Sequence, residues 1–324
     1  MELVAVWIIG LALVFVGGAI LFTAMTARRV ERAVPPLGRF IEIEGAPLHY
    51  IDQGSGPAIV MIHGLGSQMR NFTYALLAKM GGNFRIILLD RPGSGYSKRA
   101  VGTSARLPAQ AQTIAKLIIA LGLERPLIMG HSLGGAVALA LALDHPDQVG
   151  GLALIAPLTH PQDAPPDVMR GLAVESPILR WLIAWTFATP ASMRNGPVLL
   201  ETVFGPDPVP PDFATEGGGL LSLRPSAFYG ASSDLVAVRD DLPAMVPRYA
   251  SLTIPVGILV GTGDLILDYV ANAEALAKKL PGVDLELVEN GGHMTPLTAP
   301  ERSAQFIIRM AQRVSATKAA APAA

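Results

Sequence analysis

The chain has 324 residues, 51% apolar and 16% charged, which is enough apolar material for a sizeable core. Its net charge of −1 argues against the basic surface that a nucleic-acid partner requires. The absence of cysteine excludes disulfides and thiolate metal sites, and the six histidines show no spacing typical of zinc ligands. We therefore expect no metal, no other cofactor and no nucleic-acid partner.

The N-terminal residues 3–26 form an apolar run without a charged side chain. As a helix, this run would be about 36 Å long, enough to cross a hydrocarbon core of about 30 Å with some tilt. We predict a transmembrane anchor over residues 1–27. A secretory signal peptide is disfavoured by the length of the run and by Glu2 ahead of it, and a fully buried soluble helix of this length is rare.

The segment after the run carries the orientation signal. Three arginines follow the run, at positions 28, 29 and 32, and no Lys or Arg precedes it. The positive-inside rule therefore predicts a single-pass membrane protein whose remaining residues are cytoplasmic. Because Pro35 and Pro36 disfavour helix, we interpret residues 28–38 as a linker.

From residue 39 onward, strand and helix patterns alternate. Residues 39–45 alternate apolar and polar side chains, and residues 47–56 are their predicted hairpin partner. Continuous apolar runs, typical of strands buried on both faces of a parallel sheet, follow at 58–63, 84–90, 126–131, 151–157, 255–261 and 283–289. Helical segments are predicted at about 68–80, 108–121, 134–144, 268–280 and 300–314. This alternation predicts an α/β fold with helices on both faces of the sheet.

The alternation stops over residues 158–250, a stretch rich in proline. Its aromatic side chains argue against a disordered linker; they are Trp181, Trp185, Phe187, Phe204, Phe213, Phe228 and Tyr229. We interpret this stretch as a mostly helical insertion over the carboxyl ends of the strands, where ligands bind in such sheets. The core would then consist of residues 39–157 and 251–314, and residues 315–324 would be a disordered tail.

The apolar run 126–131 leads into Gly130-His131-Ser132-Leu133-Gly134, which matches the G-x-S-x-G motif. The pentapeptide alone is a weak signal, but here a strand precedes it and a good helix follows, as the motif requires. A serine hydroxyl becomes a nucleophile only with a base, a group that orients the base, and donors for the oxyanion. Ser132 is therefore the candidate nucleophile; the alternative is a tight turn with an incidental serine.

The base and its orienting group are expected at the same sheet edge. His293 follows the last predicted strand, on a loop that begins with two glycines. Asp264 ends the preceding strand, where a carboxylate can fix the imidazole tautomer and stabilise its cation. Asp268 is the fallback for this role, although its position favours a helix cap. We identify His293 as the candidate base and Asp264 as its partner.

The oxyanion donors are expected from two backbone segments. The sequence HGLGSQ, residues 63–68, follows the third strand, and Leu133 directly follows Ser132. The backbone N–H groups of Leu65 and Leu133 are the candidates, each lowering the barrier by roughly 2.7–4 kcal/mol. His63 is expected to be a structural hydrogen-bonding group, and an ordinary strand-to-helix turn is the alternative for this loop.

The order Ser132, Asp264, His293, together with HGLGS, LLDRPGSGYSKR and MGHSLGG, resembles the α/β-hydrolase superfamily over residues 39–314. The resemblance implies an eight-stranded, mostly parallel sheet with a helical lid inserted after the sixth strand. It also implies that the DRPGSGYS loop shapes the site near the oxyanion hole, so Asp90 would be a structural residue.

The resemblance also narrows the expected reaction. Haloalkane dehalogenases and related epoxide hydrolases of this fold have aspartate where this chain has Ser132, and HGGG-type lipases carry more glycines than HGLG. What remains is similar to carboxylesterases, monoacylglycerol-lipase-like enzymes, carbon–carbon bond hydrolases and cofactor-free haloperoxidase-like members. We expect a serine hydrolase that cleaves a small apolar carboxylic ester through an acyl-enzyme. The alternatives are a carbon–carbon bond hydrolase with the same triad and a non-catalytic binding module.

Overall fold

The computed structural model describes residues 2–320 and contains one eight-stranded sheet. The strands are β1 Arg39–Ile43, β2 Ala46–Gln53, β3 Ala58–Ile62, β4 Arg85–Leu89, β5 Leu127–His131, β6 Gly151–Ile155, β7 Val256–Gly261 and β8 Asp284–Val288. Their order is β1-β2-β4-β3-β5-β6-β7-β8, with β2 antiparallel to both neighbours and the other pairs parallel. The expected eight-stranded, mostly parallel sheet is confirmed.

Helices connect and flank the strands. They are α1 Glu2–Ala33, α2 Arg70–Thr73, α3 Leu76–Lys79, α4 Leu107–Ala120, α5 Leu133–Asp144, α6 Pro177–Thr186, α7 Ala188–Phe204, α8 Pro225–Met245, α9 Ala275–Ala277, α10 Thr295–Thr298 and α11 Pro300–Ala320. The single helix predicted over 68–80 is two short helices, because Ala75 has a φ of −141° outside the helical region. The helix predicted over 268–280 is a π-helical turn, Val270–Glu274, followed by α9.

The core has two layers, one on each face of the sheet. Alternate residues of β3 divide between them, since successive strand side chains point to opposite faces. Val60 and Ile62 pack in the layer of α4 and α5, whereas Ile59 and Met61 pack in the layer of α2, α3 and α11. Helix α5 is buried nearly all round because the sheet, α4 and the lid enclose it, which accounts for its uniformly apolar sequence.

The insertion between β6 and β7 folds as a helical lid. It comprises α6, α7 and α8 with 3₁₀ turns at Asp167–Leu172, Gly219–Leu223 and Val246–Ser251. The lid therefore follows the sixth strand, as the resemblance implies.

Both ends of the chain are more helical than the sequence indicated. Helix α1 continues to Ala33, so the first half of the predicted linker 28–38 is helical; it ends where Pro35 keeps the preceding residue out of helical conformation. Helix α11 continues to Ala320, so residues 315–320 of the predicted tail are helical, since Val314 and the turn before it anchor the helix in the core. Residues 321–324 lie outside the described residues.

Helix α1 is long and apolar enough to cross a membrane, with a mean hydropathy of 2.7 over its best window. Its N-terminal half is exposed on all sides, and only the C-terminal half buries a stripe, at Thr23, Thr26 and Val30. Val30 and Val34 pack against Leu221 of the lid. The chain thus has one candidate membrane anchor, and the anchor is joined directly to the lid.

Candidate active site

Ser132 occupies a strained turn between β5 and α5. Its φ of 55° and ψ of −123° lie in a region that residues with a Cβ rarely adopt, at a cost of about 1–3 kcal/mol. Glycines make the turn possible. A Cβ at Gly130 would lie 2.5 Å from the Gly134 carbonyl oxygen, and one at Gly134 would lie 2.6 Å from that of His63. The structure therefore has the strand–turn–helix geometry of a nucleophile elbow.

Neighbouring backbone holds this strained residue in place. The Ser132 N–H donates to the Ile155 carbonyl at 3.1 Å, and the Ser132 carbonyl accepts from the Leu158 N–H at 3.0 Å and from Gly135 at 2.8 Å. Ile155 is the last residue of β6, and Leu158 follows three residues later. The adjacent strand thus fixes the side chain at the carboxyl edge of the sheet, where it is 9% exposed.

Asp264 and His293 are paired at the same edge. The Nδ1 atom of His293 lies 2.7 Å from Oδ2 of Asp264, and the other carboxylate oxygen accepts from the N–H groups of Ile266 and Leu267. Burial raises the pKa of Asp264, but His293 and these donors outweigh burial and hold the pKa below its ordinary value. The carboxylate at this distance favours the tautomer with the proton on Nδ1, which leaves the lone pair of the ring on Nε2.

His131 joins this pair to the nucleophile turn. Its Nε2 lies 2.9 Å from the His293 carbonyl oxygen, and the two imidazole rings have centroids 5.0 Å apart. Burial, with a smaller contribution from His293, lowers the pKa of His131 to about 3, so its ring is a neutral donor. Since His131 precedes Ser132, this contact brings the base loop beside the turn. Among residues 2–320, no hydrogen bond joins the Ser132 hydroxyl to the His293 ring.

The predicted oxyanion loop also touches Ser132. A Cβ built on Gly64 would lie 2.9 Å from Cβ and 3.4 Å from Oγ of Ser132. In the described part of the chain, neither the Leu65 N–H nor the Leu133 N–H donates a hydrogen bond to protein. Leu133 is the first residue of α5, where N–H groups lack helical acceptors. The two predicted donors thus remain available, as an oxyanion site requires.

Arg91 anchors the predicted oxyanion loop, a role that the sequence did not indicate. Its guanidinium is fully buried, and its Nε and Nη2 donate to the carbonyls of His63 and Gly64, each at 2.9 Å. Its Nη1 donates to Asp234 and Gln110, each at 2.7 Å. The DRPGSGYS motif marked this loop, but the counter-ion lies in the lid, 143 positions away. Nothing in the local sequence indicated that pairing.

Asp90 and His63 lie in the hydrogen-bond network under the loop. Asp90 accepts from the N–H groups of Met69 and Tyr96, and from the His49 ring at 2.7 Å. Burial raises the pKa of Asp90, but these partners hold it below its ordinary value. Burial lowers the pKa of His63 to about 4, so this ring is neutral. Apart from the His49 ring of β2, the partners of both side chains are loop groups, as expected of structural residues.

Asp268, the fallback for Asp264, has another role. Its Oδ1 accepts from the N–H groups of Val270 at 2.8 Å and Ala271 at 3.0 Å, which is a helix cap. Within residues 2–320, no group of three or more His, Asp or Glu side chains is arranged to hold a metal ion.

The loop of His293 packs against the lid. A Cβ at Gly292 would lie 2.6 Å from the carbonyl oxygens of both Phe204 and Gly205, at the end of α7. The Gly292 N–H donates to Asp207 at 3.3 Å. The base loop and the lid thus meet at backbone contact distance.

The model of the alpha/beta hydrolase family matches residues 59–306. An uncharacterised protein of Mycobacterium tuberculosis is 29% identical over 290 residues, covering 87% of this chain and 83% of the relative. Among solved structures, an esterase of Thermogutta terrifontis is 25% identical with a TM-score of 0.64, covering 86% of this chain and 99% of that one. A membrane phospholipase A described as a bacterial virulence factor is 24% identical with a TM-score of 0.71, covering 97% and 99%. The chain belongs to the alpha/beta hydrolase family.

Proposed function

We propose that the protein is a membrane-anchored serine hydrolase that cleaves an apolar carboxylic ester through Ser132, His293 and Asp264. One observation carries the proposal: a strained serine, held by β6 at the end of β5, directly follows His131, and the His131 ring contacts the histidine of a buried imidazole–carboxylate pair. Such pairs also occur as structural pairs, but the strain of a φ of 55° at Ser132, which presents its hydroxyl at this edge, favours a functional role.

The chemistry runs in two halves. In the first, Nε2 of His293 takes the Ser132 proton while Oγ attacks the ester carbonyl carbon. The oxyanion that forms accepts hydrogen bonds from the N–H groups of Leu65 and Leu133. The carbon–oxygen bond to the alcohol then breaks, and the imidazolium gives its proton to the leaving oxygen. In the second half, water gives its proton to His293 and its oxygen to the acyl carbon. The acid leaves, and Ser132 regains its proton.

The surroundings of the site support an apolar substrate. Phe204, Phe213, Met294 and Leu297 form a buried apolar cluster between the lid and the base loop. Met294 directly follows His293, so this cluster adjoins the reacting centre. The similarity to the esterase of Thermogutta terrifontis, at 25% identity, supports an ester as the bond that this protein cleaves. Apolar walls with few polar groups are typical of sites for hydrophobic ligands.

Helix α1 supplies the proposed anchor. Its apolar N-terminal half is exposed, apart from the approach of Phe15 to Phe187 of the lid, as a membrane-spanning segment would be. The match to the membrane phospholipase A takes in 97% of this chain and therefore most of the segment before β1. The three arginines after residue 27 support a single-pass protein with its catalytic domain in the cytoplasm.

A fluorophosphonate probe tests the proposed nucleophile. The full-length protein in detergent should be labelled and should hydrolyse short nitrophenyl esters, and Ser132→Ala should abolish both. Ser251→Ala removes an exposed hydroxyl far along the chain and should leave both unchanged. Folded protein without labelling would favour a binding module. Labelling with faster turnover of vinylogous diketones than of esters would favour carbon–carbon bond hydrolysis.

A further inference from the structure

The outer face of lid helix α6 is apolar and open. Its exposed large side chains, together with Phe187 just beyond its end, are between 45% and 75% exposed; they are Ile178, Leu179, Trp181, Leu182 and Phe187. We call these five residues the lid face. Monomeric soluble proteins rarely expose contiguous apolar patches of this kind, so the lid face requires a partner.

Charge is absent from the lid face. Arg180 is the one charged residue of α6, and it is buried. Its guanidinium donates to the hydroxyls of Ser232 and Ser233, both at 2.9 Å, and to the Val174 carbonyl at 2.6 Å. A helix on a water-covered surface normally has its charges outward. On α6 the cation points inward and the apolar side chains point outward, which is the arrangement that a lipid environment favours.

Helix α6 runs beside α1 in the opposite direction. The Phe187 ring, after the end of α6, lies 6.4 Å from the Phe15 ring of α1. Trp181 and Trp185 line a cavity of about 680 Å³ together with Ala24 and Ala27 of α1. The lid face is therefore continuous with the apolar surface of the proposed membrane span, and whatever surrounds α1 at Phe15 also meets Phe187.

The charge-free run of α1 determines which medium that is. Glu2 bounds this run, and residues 3–14, between Glu2 and the contact at Phe15, span about 18 Å at 1.5 Å per residue. A hydrocarbon core about 30 Å thick that excludes the charge of Glu2 therefore extends at least about 10 Å past Phe15, to about residue 22. The Phe187 end of the lid then lies within the leaflet, whereas Trp181 and Trp185, beside residues 24–27, lie at the headgroup level that tryptophan prefers.

We propose that the lid face is immersed to a depth of about 10 Å in the lipid leaflet around α1, with the bilayer as its partner. The inference rests on the proposed anchoring by α1. Arg28 and Arg29 lie beyond the tryptophans and are exposed, and Arg28 shares the cavity wall with the exposed Lys98, so these cations meet the phosphates of the headgroups. The lid would thus open toward lipid, and an apolar ester would reach the site without crossing water.

Tryptophan quenching in lipid tests this placement, because the chain has three tryptophans. The full-length double variant Trp7→Phe, Trp185→Phe keeps only Trp181, and Trp181→Phe, Trp185→Phe keeps only Trp7. Each is reconstituted in phosphatidylcholine vesicles, with or without bromine near the headgroup end of the acyl chain. We expect bromine to lower Trp181 fluorescence at least about twofold and acrylamide in the water phase to quench it poorly.

The second variant separates the two proposals. If lipid bromine at any chain depth quenches Trp7 but not Trp181, the anchor stands and immersion of the lid face is overturned. If it quenches neither, the anchor itself is wrong. A third outcome is that Trp181 is shielded from acrylamide but is not quenched by bromine. If acrylamide then quenches Trp181 when each lipid disc holds one copy of the protein, a second copy covers the lid face, and the inference is overturned.

A charge on the lid face provides an independent test. Leu182→Glu should reduce bromine quenching of Trp181 at least about twofold, because a carboxylate resists immersion. Ile119→Glu is the control, at another exposed apolar position, on α4, and should leave the quenching unchanged. Both variants should unfold in detergent at the wild-type temperature, since both positions are exposed. Unchanged quenching in Leu182→Glu would contradict the inference.

Discussion

The carboxyl edge of the sheet buries charged side chains among hydrogen-bond partners, whereas the outer face of the lid presents apolar side chains. At the sheet edge, Arg91, Asp90 and Asp264 are buried, and each is bonded on several sides. On the lid, Arg180 is turned inward and the outward side chains are apolar. Fixed dipoles at the edge are suited to a reaction that develops charge, because they need no rearrangement as charge forms. The bare lid face is suited to a medium without water.

Removing the charge that orients the base should have the largest effect at the sheet edge. Asp264→Asn keeps the shape but favours the wrong tautomer of His293, so we expect kcat to fall about 10⁴-fold. Turnover of a short soluble ester measures it, since such a substrate does not depend on the membrane. Asp268→Asn is the matched control and should keep kcat within about threefold, because Asp268 caps a helix. A loss below tenfold for Asp264→Asn would exclude it as the orienting group.

The buried ion pair that joins loop and lid should come next. Asp234→Asn leaves Arg91 without its counter-charge in a fully buried position, and we expect the free energy of unfolding to fall by about 3–5 kcal/mol. Urea unfolding in detergent at pH 7 measures this loss. Asp167→Asn removes an exposed lid pair with Arg170 and should change stability little. Equal effects of the two substitutions would remove the distinction between the two regions.

Acid should weaken the sheet edge before it affects the lid face. Burial depresses the folded-state pKa of His63 to about 4 and of His131 to about 3, below an unfolded value of about 6.5. Below pH 6.5 the unfolded chain thus binds more protons than the folded chain. The contribution of the two neutral rings to the free energy of unfolding is therefore complete above pH 6.5 and is lost as the pH falls toward 4. We expect the free energy of unfolding to drop by about 2.5 kcal/mol between pH 7 and pH 5.5.

Urea titrations at these two pH values provide the measurement. His63→Asn removes one of the two groups and should lose about half as much over the same range. His145→Gln, at a half-buried position beyond α5, serves as the control. A pH-independent free energy of unfolding would show that neither ring is held neutral.

The smallest effect concerns strain at the nucleophile. Ser132→Gly relieves a backbone that only glycine adopts readily, whereas Ser132→Ala retains the Cβ and its strain. After the greater entropy of unfolded glycine is subtracted, we expect the glycine variant to be more stable than the alanine variant by about 1 kcal/mol. Calorimetry on the two inactive proteins measures the difference. A less stable glycine variant would mean that the turn is not strained.

Periodicity and position predicted most of the fold and the pairing at the site. The six strands from β3 to β8 lie in the predicted apolar runs, and Asp264 and His293 follow the last two of these strands, so parallel pairing places them at one edge. The sequence could not indicate the ion pair of Arg91 and Asp234, because it joins segments 143 positions apart and neither has a local pattern. The packing of α6 on α1 was likewise hidden, since two apolar helices give the same signal whether they touch or not.

The contact between Gly292 and the end of α7 couples the imidazole to the lid. Carbonyl oxygens 2.6 Å from the place of a β-carbon leave no room for even a methyl group. The methyl group of an alanine at this position would push against the end of α7, which lies outside the sheet, and would displace the ring of His293. The turnover rate would then depend on the position of the lid, although no atom of α7 takes part in bond making.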